Sequence, residues 1–208
     1  THVVPGWINY DKSLNIVLSR YKFLKKLLYT FRLIPRIFYE TTWPSNVIRR
    51  DVRKGLPLHN ESVDFVYCSH FIEHLTREEA IKVLRECCRV LKHGGWIRIS
   101  CPDLRILAIK YLEGDVNFIL FRSSRKDELS HAFIKSLRMS DERPFYQKII
   151  SPCLSHRCMY DFDSLKSLLI ASGFNSVEKR LFKEGVTPDI GRLDNRPLES
   201  LYVEAQKL

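Results

Sequence analysis

Polar side chains that could bind a ligand follow four short apolar segments of the chain. Asp11 ends the segment Trp-Ile-Asn-Tyr-Asp, and Asp51 ends Asn-Val-Ile-Arg-Arg-Asp. The pair Ser69-His70 follows Val-Asp-Phe-Val-Tyr-Cys, and Asp103 follows Trp-Ile-Arg-Ile-Ser-Cys-Pro. Parallel α/β sheets bind ligands beyond the carboxyl ends of their strands. We therefore expect these side chains to line one site.

The side chains differ in the chemistry they offer. A carboxylate at a strand end can accept both hydroxyls of a ribose. An imidazole with its ordinary pKa near 6.5 can remove a proton at neutral pH, so His70 is a candidate general base or orienter of an acceptor hydroxyl. Equally open is the alternative that His70 only caps the strand end by hydrogen bonding. Glu73 and His74 are expected to brace the loop.

The elements that position these residues are clearest between Ser62 and Asp103. The β-branched and aromatic run Val63–Cys68 predicts a buried parallel strand. Thr76-Arg-Glu-Glu79 is a capping box that begins a helix, which Gly94-Gly95 is expected to end. Residues 96–100 then form a second strand, and the unit is a right-handed parallel crossover.

The remaining elements follow from periodicity and from helix-ending residues. Helices are predicted over 19–36, ended by Pro35, over 104–112, and from the N-cap Asp161 to Gly173. Residues 177–182 and 200–205 predict an antiparallel strand pair at a sheet edge. We expect one domain over residues 1–208, in which residues 104–160 include an insertion that covers the substrate.

The composition of the chain limits the kinds of partner that the protein is expected to bind. The net charge of +10 favours an anionic partner. The chain has no nucleic-acid-binding motif, so no specific nucleic acid is expected. The sequence contains no run of about 20 apolar residues, so no transmembrane helix is expected. Six cysteines without a CxxC pair fit a reducing compartment, so we expect a cytoplasmic protein without a structural zinc site.

The predicted helix over 19–36 is basic and amphipathic. Its apolar residues share one face, and lysines and arginines cover the rest. Such a helix can lie on an anionic membrane, giving peripheral membrane association. The alternative is a solvated helix that packs on the domain through its apolar side.

Residues His70-Phe-Ile-Glu73-His74 also spell H-x-x-E-H, the zinc motif of inverted metallopeptidases. In those enzymes both histidines lie on one helix and bind zinc. Here His70 directly follows a strand, and the capping box at Thr76 begins a new helix, which leaves barely one turn for the motif. No pattern downstream indicates a third ligand. We therefore assign no metal ligand and keep a zinc metallopeptidase as the weaker alternative.

The ordered segments GWINYD, SVDFVYCSHFIEHL and RVLKHGGWIRISCPDL resemble the class I methyltransferases that use S-adenosylmethionine. The segments HRCMYDFDSLKSLLIASGF and LDNRPLESLYVEAQK are similar to a bacterial group of predicted methyltransferases within that superfamily. The resemblance implies a Rossmann-like α/β fold. It has a mostly parallel seven-stranded sheet, helices on both faces and an antiparallel C-terminal strand, and the cofactor lies across the strand ends.

The resemblance also implies roles for individual residues. On the cofactor side, the residues are Asp11 at the ribose, Asp51 at the adenine amino group, Val52 and Leu56 near the ring, and Ser69 and His70 at the methionine end. On the acceptor side, Asp103 is implied. His156 and Tyr160 are further substrate-side candidates from the late segment, with a structural role as the alternative.

One family element is missing. Members of the family begin with a strand and a Gly-x-Gly loop that contacts the methionine part of the cofactor. This strand would be central, between the strands that end at Asp11 and Ser69. We expect the 208 residues to be a truncated copy of a longer parent, or another element to fill the gap. The predicted function is methyl transfer to an oxygen or nitrogen of an anionic glycan or small molecule, and the alternative is a non-catalytic binding module.

Overall fold

The computed structural model describes residues 3–115, 118, 129–139 and 155–208. The chain divides into two compact units. Of the described residues, the first unit comprises 3–55 and the second comprises 56–115, 118, 129–139 and 155–208. Much of the predicted insertion lies outside the described residues, so its covering role stays a prediction.

The first unit contains a two-stranded parallel sheet of β1 (Asn9–Asp11) and β2 (Val47–Arg49). Three helices lie between them in sequence: α1 (Asn15–Leu18), α2 (Lys22–Thr30) and α3 (Arg36–Glu40). The two strands end at the same edge of the sheet, since Asp11 is in register with Arg49. Both predicted strands that end near an aspartate are therefore confirmed.

The prediction of one helix over 19–36 is wrong in extent and in its buried face. Helix α2 ends at Thr30, and Pro35 precedes α3, where a helix tolerates proline. Lys25 is the buried residue of α2, and its Nζ donates to the Thr41 carbonyl at 2.6 Å. The predicted apolar face is largely exposed instead, because periodicity alone cannot indicate which side of a helix is covered.

The second unit contains a four-stranded sheet in the order β3-β4-β6-β5. Its strands are β3 (Val63–Ser69), β4 (Leu91–Pro102), β5 (Asn175–Arg180) and β6 (Ser200–Gln206). Strands β3 and β4 are parallel, whereas β6 runs antiparallel to both β4 and β5. The predicted α/β class, parallel crossover and antiparallel C-terminal strand are confirmed.

Strand β3 is less buried than its composition predicts. It is an edge strand of its sheet, and every residue except the exposed Asp64 is half-buried. In β4, by contrast, Ile97 and Ile99 are fully buried between two neighbouring strands. Within the described part of the chain, the strands form two separate sheets, and the expected intervening strand stays a prediction.

The helices of the second unit are α4 (Arg77–Val90), α5 (Leu104–Leu112), α6 (Leu129–Ser136), α7 (Phe162–Ala171) and α8 (Ile190–Leu193). The capping box predicted for α4 is confirmed, with Thr76 and Glu79 exchanging hydrogen bonds of 3.0 and 3.3 Å. The cap of α7 at Asp161 is also confirmed. No helix of the described residues is long and apolar enough to cross a membrane.

Gly94-Gly95 does not end α4 as predicted. The helix ends at Val90, and β4 begins at once with Leu91. A Cβ on Gly95 would lie 3.0 Å from the Asp64 carbonyl and 2.9 Å from that of Lys92. The glycine is required by this close approach of backbones at the start of β4.

A buried arginine lies in the middle of β4. Arg98 is fully buried, and its Nε and Nη2 donate to the two carboxylate oxygens of Asp194 at 3.1 and 2.5 Å. Its Nη1 lies 3.3 Å from Glu204 Oε1. The carbonyls of Leu181 and Glu184 accept the remaining hydrogen bonds, at 3.1 and 3.0 Å. The guanidinium is thus neutralised and satisfied without water.

Glu204 on β6 is the second centre of this network. Its carboxylate accepts hydrogen bonds from the N–H groups of Val186 and Thr187 and from the Thr187 hydroxyl, at 2.7 to 3.1 Å. Burial opposes ionisation, but these donors and the charge of Arg98 hold the Glu204 pKa below its usual value. Gly185 has φ +150°, and a Cβ there would overlap the Glu204 carboxylate.

Replacing the buried arginine should destabilise the protein strongly. In Arg98→Met, the Asp194 carboxylate stays buried without the Arg98 cation, while Glu204 keeps its pair with Arg180, so we expect a loss of about 3–5 kcal/mol in the free energy of unfolding. The control is Lys92→Met on the same strand, because Lys92 pairs with Asp64 in solvent and its loss should cost at most about 1 kcal/mol. Urea denaturation of both variants measures this, and equal losses would contradict the assignment.

Candidate active site

His70 forms the turn at the carboxyl end of β3. Its backbone is left-handed, with φ +46°, and its N–H donates to the Ser100 carbonyl at 2.8 Å. On the imidazole, Nε2 lies 3.0 Å from the Ser200 hydroxyl, and Nδ1 lies 3.3 Å from Glu73 Oε1. The Ser200 hydroxyl therefore orients the ring, and the Glu73 carboxylate lies near its other nitrogen without a hydrogen bond.

Ser200 is brought to His70 by the register of the sheet. It is the first residue of β6 and is in register with Pro102, the last residue of β4. Ser200 was not among the site residues predicted from the sequence. The signal was present, because an antiparallel last strand begins at the edge where its parallel neighbours end.

Ser69 is the last residue of β3. Its hydroxyl accepts a hydrogen bond from the Ser100 hydroxyl at 3.1 Å. The neighbouring thiols of Cys68 and Cys101 are protonated at neutral pH, since burial and the charge of Glu73 raise the pKa of both. Cysteine chemistry is therefore not expected at this strand end.

Asp103 is buried and caps helix α5. Its Oδ1 accepts from the N–H groups of Arg105 and Ile106 at 2.9 and 3.4 Å, and its Oδ2 lies 3.5 Å from Lys179 Nζ. Its backbone also forms a bridge with Tyr160. These contacts give Asp103 a structural role, and its predicted role toward an acceptor stays a prediction.

The late segment brings two further predicted residues to this unit. His156 is buried, and burial lowers its pKa to about 4 despite the nearby charge of Glu73, so its ring is neutral at pH 7. Tyr160 is also buried, and burial together with Cys158 raises its pKa. Both side chains are packed inside the unit, which matches the structural alternative for them.

The first unit holds the other two predicted carboxylates. Asp11 Oδ1 accepts from the Ser13 N–H at 2.7 Å, and burial raises the Asp11 pKa against the opposing effects of that bond and of Lys12. Asp51 accepts from the N–H and Nε of Arg53 on Oδ1 and from its Nη2 on Oδ2, at 2.7 to 3.2 Å. These hydrogen bonds lower the Asp51 pKa to about 2.

The two carboxylates retain acceptor capacity. An ionised carboxylate has about four lone-pair sites. Arg53 donates to both oxygens of Asp51, and the Ser13 N–H donates to Asp11 Oδ1. The chemistry of this pair therefore fits the hydroxyl and amino donors of a nucleoside.

The last two predicted cofactor residues follow Asp51. Val52 begins a 3-10 turn, Val52–Lys54, which Asp51 caps. Leu56 begins the second unit, where its N–H donates to Glu86 Oε1 at 2.7 Å. The structure thus brings Asp11 and Asp51 together in one unit and Ser69, His70, Asp103, His156 and Tyr160 together in the other.

The metallopeptidase arrangement of H-x-x-E-H does not form. His70 precedes a single 3-10 turn, Ile72–His74, and helix α4 begins only at Arg77. The two histidines of the motif therefore do not share a helix.

The family model described as "Methyltransferase domain" matches residues 36–99. The matched stretch includes Asp51, Ser69 and His70, so the resemblance drawn from the sequence is confirmed. No curated protein matches the chain.

Solved structures similar to the chain include a SAM-dependent methyltransferase from Archaeoglobus fulgidus, with 20% identity and a TM-score of 0.47 over 78% of this chain and 67% of that one. A possible exported protein from Bordetella parapertussis has 11% identity and a TM-score of 0.47. The match covers 95% of this chain and 52% of that one. A SAM-dependent methyltransferase from Thermotoga maritima, described as a possible histamine N-methyltransferase, has 17% identity and a TM-score of 0.41. The match covers 78% of this chain and 63% of that one.

The chain thus spans between about half and two-thirds of the length of these three proteins.

The pKa of Asp51 tests the geometry at the end of β2. We expect carboxyl NMR to show it titrating near pH 2 in the wild type and near its ordinary value of 3.8 in Arg53→Gln. Because the folded-state pKa is lowered, the stabilisation is present above pH 3.8 and is lost as the pH falls towards 2. An unchanged Asp51 titration in Arg53→Gln would contradict the pairing.

Proposed function

We infer that the chain belongs to the S-adenosylmethionine-dependent methyltransferases and transfers a methyl group to an oxygen or nitrogen of its acceptor. The observation that carries this is the methyltransferase domain matched at residues 36–99, because that stretch includes strand ends with the polar residues such a site requires. When bound, S-adenosylmethionine supplies an activated methyl group, so the protein mainly has to align the reactants and exclude water.

Different residues of the chain would bind the cofactor and accept the proton of the acceptor. Asp11 would hold the ribose hydroxyls and Asp51 the adenine amino group, each through a carboxylate oxygen. His70 would accept the proton that the acceptor loses, through the nitrogen that contacts Ser200. The Glu73 carboxylate lies 3.3 Å from the other ring nitrogen, Nδ1.

The acceptor is proposed to be anionic, either a glycan or a small molecule. The net charge of +10 supports this, because a positive field raises the local concentration of an anion.

Peripheral association with an anionic membrane is proposed through α2. Its exposed apolar residues include Phe23 at 81% and Leu27 at 42% exposure, and its lysines Lys22 and Lys26 are exposed as well. Apolar and basic side chains together on an exposed helix favour the interface of an anionic bilayer.

Titration calorimetry with S-adenosylmethionine tests the methyltransferase function. We expect the wild type to bind, and Asp11→Asn or Asp51→Asn to weaken binding at least about 10-fold, since each removes a charged hydrogen-bond acceptor. The matched control is Asp64→Asn, because Asp64 is exposed and pairs with Lys92 in solvent. Absence of binding to the wild type would instead favour the non-catalytic binding module.

Co-sedimentation with vesicles that contain phosphatidylserine tests the membrane proposal. We expect the double variant Lys22→Glu and Lys26→Glu to lose at least about 10-fold in affinity, since each basic residue at such a surface is worth about 1 kcal/mol. The charge-matched control is Lys82→Glu and Lys166→Glu on the second unit, which are also exposed. Equal losses in both double variants would reject a specific role for α2.

A further inference from the structure

We propose that Glu73, His74 and His156 form a binding site for one divalent transition-metal ion, with Zn²⁺ as the probe of choice. The three side chains offer a carboxylate oxygen and two imidazole nitrogens that all lie within 4.8 Å of one another. This proposal does not depend on methyl transfer.

Glu73 is the residue that most needs an explanation. It is 1% exposed, and neither carboxylate oxygen has a hydrogen-bond partner in the described structure. His70 Nδ1 is 3.3 Å away, but the geometry does not make a hydrogen bond. A buried carboxylate without compensation costs several kcal/mol, and a bound cation would remove that cost.

His156 presents a second unsatisfied atom. The side chain is 4% exposed, and its Nδ1 finds no hydrogen-bond partner among the described residues. Its ring lies 5.2 Å from that of His74, measured between centroids. The buried and unpartnered Nδ1 is therefore a nitrogen that a metal ion could occupy.

His74 is already oriented as a ligand. Its Nδ1 lies 2.9 Å from the Ser155 carbonyl and donates to it, because a carbonyl can only accept. The proton is therefore on Nδ1, which leaves Nε2 as the lone-pair nitrogen. Metal-binding histidines usually donate their other ring N–H to a backbone carbonyl in this way.

The backbone holds the two segments of the site together. The Glu73 carbonyl accepts from the N–H groups of Arg157 and Cys158 at 2.7 and 3.1 Å. The His156 N–H donates to the Arg138 carbonyl at 2.7 Å. The site is thus built from the 3-10 turn Ile72–His74 and the segment that follows Ser155, and both belong to the second unit.

The donor set selects the class of metal. Two imidazoles and one carboxylate suit zinc and its neighbours among the transition metals, whereas calcium and magnesium prefer oxygen ligands. Ligand atoms of a tetrahedral zinc site lie roughly 3.3 Å apart, given bonds of about 2.0 Å. Small side-chain rotations would close the larger separations, and the fourth position would stay open.

In this metal site, the residues of the H-x-x-E-H motif have roles that differ from those in a metallopeptidase. In a metallopeptidase, His70 would be a ligand and Glu73 would activate water. Here His156 takes the place of His70, and Glu73 becomes a ligand. The sequence indicated no third ligand, because His156 comes close to His74 only through the fold.

Zinc titration of the metal-free full chain, with a competing chelator, tests the site. We expect one equivalent to bind with a Kd below about 1 μM and the melting temperature to rise, since the ion binds only the folded state. Glu73→Gln and His156→Gln should each weaken zinc binding at least about 100-fold. The matched control His59→Gln, at an exposed histidine, should bind like the wild type.

Thermal melting and cobalt titration provide two further tests of the metal site. Without metal, Glu73→Gln should melt at a higher temperature than the wild type, because it removes a buried charge. If a variant does not fold, cobalt titration of the wild type still decides, since a tetrahedral site gives intense visible absorption and water-bound cobalt does not. Zinc binding that is absent, or equally tight in Glu73→Gln, would overturn the site.

Discussion

The second unit depends on the neutralisation of one buried cation. Arg98 lies on a central strand of the sheet, and Asp194 and Glu204, which both follow it in the sequence, contact its guanidinium. Tyr67 on β3 adds its hydroxyl to Asp194 at 3.2 Å, so three strands and the segment before β6 share one polar cluster. Because Glu204 is in register with Arg98, this cluster also fixes how β6 lies against β4.

That register has a direct consequence for the candidate active site. With β6 fixed, Ser200 lies at the carboxyl end of β4, where its hydroxyl meets the His70 ring. A shift of one residue would send alternate side chains to the other face of the sheet. The polar cluster inside the sheet and the imidazole at its edge are therefore parts of one arrangement.

The sequence predicted the features that depend on neighbouring residues. The caps at Thr76 and Asp161, the strand that ends at Ser69 and the antiparallel end of the sheet all follow from local composition and were correct. The extent and buried face of the helix over 19–36 were wrong, because the buried Lys25 is satisfied by a distant carbonyl that periodicity does not reveal.

Contacts between distant parts of the chain could not be predicted. Nothing near Arg98 in the sequence indicates that Asp194 will neutralise it, and nothing near His74 indicates His156. Carboxylates and histidines at strand ends were nevertheless identified, since the topology of α/β sheets specifies where polar residues gather. What each of them contacts depends on tertiary packing.

Gly185 illustrates how strongly the polar cluster constrains evolution of the chain. The Glu204 carboxylate fills the volume that any larger residue at this position would need. Alanine could therefore enter only after the acidic side chain had been shortened or displaced, which would in turn release the donors of Val186 and Thr187. The dependence runs one way, since a side chain at position 185 requires a change at position 204 but glycine at 185 accommodates a smaller residue there.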